Sequence, residues 1–159
     1  MYKRQGLLFD PKDLSKYQCL RIPQKDTWVV LMRRDAPLAK KEAIGPKDLW
    51  DKPLILSRQH RAGSALSMWL KREEADLNIV ATYSLLYNGS ILVDEGLGYA
   101  ITLDKIINTQ GGNLCFRPLI PTLQAGLCVV WKKYQVLTKA SELFLNTLQS
   151  NLETAESEA

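Results

Sequence analysis

Short apolar runs alternate with segments whose apolar residues recur every three or four positions, along most of the 159 residues. Residues 6–9 (GLLF), closed by Asp10 and Pro11, read as a buried strand with a stop signal behind it. Residues 17–22 form a half-apolar strand and residues 27–32 (TWVVLM) a longer one rich in β-formers. Pro46 opens a single helical turn, and residues 53–56 (PLIL) are wholly apolar, as in a parallel strand covered on both faces. A polar loop, 57–63, leads to a helix near Ser64 whose inner face is Leu66, Trp69 and Leu70. Strand 79–81 follows, then a helix that Ser84 can cap, with Leu85, Leu86, Leu92 and Val93 inward. Gly96-Leu97-Gly98 ends that helix, and residues 99–101 form the next strand. Strands at 114–119 and 127–131 precede a last amphipathic helix from Thr138, expected to bury Ala140, Leu143, Phe144 and Leu148, before an acidic tail that frays. This alternation predicts an α/β fold with a mostly parallel sheet.

Composition narrows the class. A hydrophobic content of 46% suits a globular core, and no apolar run approaches the roughly 20 residues of a membrane span. No signal peptide pattern follows the basic lead. Cys19, Cys115 and Cys128 lie in apolar surroundings without paired spacing, which points to buried thiols in a reducing cytoplasm. The net charge of +4 is dispersed, unlike a nucleic-acid surface that gathers its cations on one face.

Catalytic chemistry has no carrier. His60, the one histidine, sits in a polar loop without a nucleophile at a recognised spacing, and no dinucleotide, P-loop or zinc motif occurs. No cofactor or metal is expected. Two strand-to-helix junctions do stand out: Ser57-Arg58-Gln59 leading to Ser64, and Thr82-Tyr83-Ser84. Parallel α/β sheets bind ligands beyond the carboxyl ends of their strands, and helix starts favour anions there. Ordinary helix capping accounts equally well for Ser64 and Ser84 taken singly; two such junctions in one small sheet favour a binding site.

Five motifs in order carry a resemblance. Residues 28–39 (WVVLMRRDAPLA) resemble the strand and "HPLA" turn of the effector-binding domain of LysR-type transcriptional regulators, with Ala36 in place of the histidine. Residues 46–55 (PKDLWDKPLI), 93–100 (VDEGLGYA), 117–119 with 127–133, and the helix 140–148 resemble later elements of that domain, together covering roughly residues 6–148. The resemblance implies a periplasmic-binding-protein type 2-like fold of two Rossmann-like lobes joined by crossing strands. Residues 33–108 would form the second lobe; 6–32 and 109–150 would form part of the first, whose opening elements would precede Gly6. Residues 1–5 (MYKRQ) are expected to be a non-native lead, since a GTG start followed by TAT-AAG-AGA-CAG, a common sequencing-adapter string, encodes them; residues 151–159 would be a disordered tail.

The function implied is the sensing of a small anion, such as a carboxylate, in the interlobe cleft, with no enzymatic activity. Ser57, Gln59, Ser64, Thr82, Tyr83 and Ser84 would contact the effector, with Arg58 as charge partner and Thr102 as a further contact. DNA would be bound only through a helix-turn-helix lying outside these residues, in a cytoplasmic protein that forms homo-oligomers and has no membrane partner. Without the rest of the first lobe, effector binding by this stretch is expected to be weak. A solute-binding protein of a transport system, sharing the fold, is the alternative reading.

Overall fold

The computed structural model describes residues 5–9, 11, 13–58 and 64–157. Its chain divides into two compact units, one of residues 1–26 and 125–159, the other of residues 27–124.

The second unit is built on a mixed sheet. Strand β2 (Tyr17–Arg33) enters it at Thr27 and lies between β6 (Leu114–Pro118) and β5 (Tyr99–Leu103), antiparallel to both. Beyond β5 come β3 (Leu54–Ser57) and then β4 (Ile79–Tyr83), both running parallel to it. The expected 17–22 and 27–32 strands are thus one, because Pro23–Asp26 stays extended although those four residues are exposed.

Alternation along these strands fills two apolar layers. On one face Val30, Met32, Leu54, Leu56 and Ile101 pack with Leu66, Trp69 and Leu70 of helix α1 (Ala65–Leu70). On the other, Leu31, Ile55, Tyr83 and Ala100 pack with Leu86 and Val93 of helix α2 (Leu86–Asp94). Trp50 fastens the loop before β3 to the end of α1: its Nε1 donates to the Leu70 carbonyl at 2.8 Å, and the Arg72 guanidinium lies 4.4 Å from its ring centroid. Arg117 of β6 donates to the carbonyls of Ala39 and Lys41, tying down the turn after β2.

The turn from α2 into β5 is where glycine is required. Gly96 takes a φ of +80°, and its N–H returns to the Val93 carbonyl at 3.0 Å. At Gly98, a Cβ would stand 2.3 Å from the Pro53 carbonyl oxygen, which also accepts the Tyr99 N–H at 2.9 Å. Only a residue without a side chain lets β5 approach β3 this closely.

In the first unit, strand β1 (Gln5–Phe9) pairs antiparallel with β7 (Gln124–Lys132), and helix α3 (Lys139–Ser157) follows. Two expectations are corrected here. β1 is a strand but not a buried one, since Leu7 and Phe9 are 64% and 45% exposed; among the described residues it stands at the sheet edge with β7 alone as neighbour. Helix α3 continues through Ser157 and turns Leu145 inward, with Leu148 half-buried. Ala140, Leu143 and Phe144 are exposed instead, because the apolar residues of this helix spread over a wider arc than one contact face. Cys115 and Cys128 are buried and Cys19 is half-buried.

Replacing Gly98 with alanine sets a side-chain carbon against backbone that cannot yield. A loss of about 2–3 kcal/mol is expected, read as a lower urea midpoint with unchanged denaturant slope.

Candidate functional site

The carboxyl ends of β3, β4 and β5 come out at one edge of the second unit's sheet, because all three run parallel. Register does the positioning. Ser57 lies beside Tyr83, Leu56 beside Thr82, and Thr102 opposite Val29. Ile55 lies beside Ala100, and continuing that register brings Ser57 level with Thr102. Thr102, Ser57 and Tyr83 therefore form a row across three strands.

Within the row the side chains divide by burial. Tyr83 is 9% exposed and Thr102 only 2%. The Tyr83 ring packs in the layer beneath α2, so closely that a Cβ at Gly89 would touch it at 3.0 Å, and its hydroxyl donates to the Ile101 carbonyl at 3.1 Å. Since β3 lies between β4 and β5, the phenol spans the width of a strand. Burial pushes the Tyr83 hydroxyl above the ordinary tyrosine range, against the opposing hydrogen bond with Thr102. Tyr83 and Thr102 are thus the most deeply buried members of the row.

The other candidates lie shallower. Ser57 is half-buried at the end of β3, and Thr82 and Ser84 are exposed on either side of Tyr83. Arg58 extends an exposed side chain while its N–H donates to the Tyr83 carbonyl at 2.8 Å, closing β3 against β4. Ser64 caps α1, accepting the Ser67 N–H at 3.2 Å, and belongs with the layer on the opposite face from Tyr83. Ser84 does not cap α2. Leu85, with an extended backbone, holds that position without a side-chain bond, because α2 starts only at Leu86. Gln59 and His60 lie outside the described residues.

The charge pattern suits an anion. Neither α1 nor α2 carries an acidic residue in its first turn, and Arg58 is the charged side chain among the described candidates. Among the described residues no cluster of three metal-ligating side chains occurs, and no helix is long and apolar enough to cross a membrane. One group at this edge escaped the sequence reading. Trp28 lies opposite Leu103, the last residue of β5, and its Nε1 is enclosed without a hydrogen-bond partner. An apolar-looking strand position gives no sequence signal for that.

Tyr83→Phe deletes the hydroxyl and is expected to cost roughly 1 kcal/mol at neutral pH. Tyr83 and Tyr99 both have folded-state values raised by burial above the ordinary 10.0. Their stabilisation is complete below pH 10 and is lost as pH rises toward the folded values, where the unfolded chain sheds protons first. Urea melts from pH 8 to 11 should show that decline in the parent chain and a shallower one in Tyr83→Phe.

A sequence profile of the LysR substrate binding domain matches residues 6–153. Nothing matches among the curated proteins. Solved structures resemble the fold across most of the chain. HinK, a LysR family transcriptional regulator from Pseudomonas aeruginosa, is 20% identical with a TM-score of 0.72 over 94% of this chain and 53% of its own. The regulatory domain of CcmR from Synechocystis PCC6803, solved with 2-PG, is 16% identical with a TM-score of 0.73 over 94% of this chain and 73% of that one. The effector binding domain of QuiR, solved with shikimate, is 17% identical with a TM-score of 0.75, covering 90% of this chain and 68% of its own. The chain spans about half the length of the regulator HinK. At these identities the structures speak for the fold, while the profile extends over most of the sequence: the chain belongs to the LysR substrate binding domain family.

Proposed function

We propose that this chain is the ligand-sensing part of a LysR-type transcription regulator, a binding module without catalysis. The second unit is read as one lobe, and the first unit as part of the other. The effector is a small anion held at the carboxyl edge of β3, β4 and β5. Ser57, Thr82 and Ser84 supply hydroxyls, Arg58 supplies charge, and the α1 start at Ser64 closes the other side; Gln59, next in sequence after Arg58, is a further contact. Tyr83 and Thr102 set the floor. DNA is engaged by a helix-turn-helix outside these residues, in a cytoplasmic homo-oligomer. A ligand that favours one arrangement of the lobes shifts the population toward it, and the DNA-binding helices respond to that shift.

One observation supports this most: two polar strand-to-helix junctions, aligned by parallel register, open at one sheet edge with no acidic residue in either following first turn. Shikimate, with which the QuiR effector binding domain was solved, carries a carboxylate that fits that chemistry.

Titration of 15N-labelled protein with shikimate, benzoate and inorganic phosphate tests the reading. Saturable shifts are expected at the amides of Arg58, Ser64 and residues 82–86, with affinity near millimolar, which corresponds to about 4 kcal/mol. Thr82→Val should weaken that binding about tenfold or more, the cost of losing a hydrogen bond to a charged group. Shifts scattered away from these segments, or none with any probe, would refute the site.

A further inference from the structure

Three tryptophans fall in the second unit, and their indole N–H groups are not treated alike. Trp50 donates to the Leu70 carbonyl at 2.8 Å and Trp69 to the Pro121 carbonyl at 2.6 Å. Trp28 donates to nothing, although its Nε1 is fully enclosed. An indole is a donor only, so it cannot adapt by accepting, and enclosure denies it bulk water. A phenylalanine would occupy an apolar seat of this kind without the stranded donor.

Its location gives the stranded donor a use. Trp28 pairs with Leu103, one residue from Thr102, at the edge where Ser57 and Tyr83 end their strands. The backbone there is pinned on both sides: the Trp28 N–H donates to the Leu123 carbonyl at 2.9 Å, and the Thr27 carbonyl accepts from Asp104 at 2.9 Å. The indole packs with the layer that contains α1, on the opposite face of the sheet from Tyr83. By strand alternation Ser57 shares the Tyr83 face, while Thr82, beside Leu56, shares the face of Trp28, so a ligand at the edge that meets Thr82 lies on the side of this indole.

Resting on the site proposed above, we infer that the Trp28 indole N–H is a recognition donor for an anionic oxygen of the ligand, carboxylate or phosphate. Enclosed as it is, the N–H is reached in a conformation where its cover parts. A ligand oxygen favours that conformation because it alone supplies the missing acceptor.

The test uses the full chain labelled with 15N-tryptophan and the three probes above, with indole peaks assigned by Trp28→Phe or, should that variant fail to fold, by Trp50→Phe, Trp69→Phe and Trp131→Phe in turn. The Trp28 indole peak is expected to move saturably, in step with the amides of Thr82 and Ser84, while the Trp50 and Trp69 peaks stay in place. Replacing Trp28 with benzothienylalanine, which swaps N–H for sulfur at nearly constant volume, should leave the urea midpoint unchanged or raised and weaken probe binding about tenfold. Amides that move past a stationary Trp28 indole, or binding unaltered by the sulfur analogue, overturn this inference and leave the site standing. Silence of amides and indole alike, with every probe, removes both.

Discussion

The Pro53 carbonyl meets the chain at Gly98 and Tyr99 with no space for a side chain between them, and much of the second unit follows from that contact. It fixes where β5 begins alongside β3. Parallel pairing then carries the alignment to the far end of the strands, where a slip of one residue would turn every side chain to the other face. Ser57 and Thr102 are level because a glycine stands four residues before a threonine, and the register shift between Leu54 and Ile55 in the pairing of β3 with β4 brings Tyr83 into the same row. The polar edge is therefore a product of backbone geometry as much as of polar residue types.

The core strands of the second unit were legible in the sequence. Residues 53–56 and 99–101 are apolar throughout because both faces of β3 and β5 are covered, and such runs have few other uses in a chain this size. The Gly96 helix ending was equally plain, since a φ of +80° suits little else. What the pattern could not reveal was which neighbour each side chain would meet. Tyr83 reads as a polar junction residue, yet its ring is core and only its hydroxyl needs a partner. Ser84 reads as a cap, but the helix starts at Leu86 and the cap position falls to Leu85. In α3, the contact face is chosen by what packs against it, and periodicity alone selected Ala140, Leu143 and Phe144 where Leu145 is buried.

The first unit illustrates the same separation of local signal from partner. β1 has the composition of an interior strand and occupies an edge, with Leu7 and Phe9 facing outward. Local preference wrote the strand; burial depends on what lies beside it. The second unit, by contrast, encloses two apolar layers about its own sheet, and each layer has its own helix. Membership of the family accounts for the strand order and the turn motifs.

Gly89 sits inside helix α2, far in sequence from Ser57 and Thr102, with the Tyr83 ring pressed against it. Any side chain added there displaces a phenol that reaches across to β5. The interior of α2 and the end of β5 are thereby coupled through one tyrosine, so a change at position 89 reaches a strand that the helix residue itself does not touch.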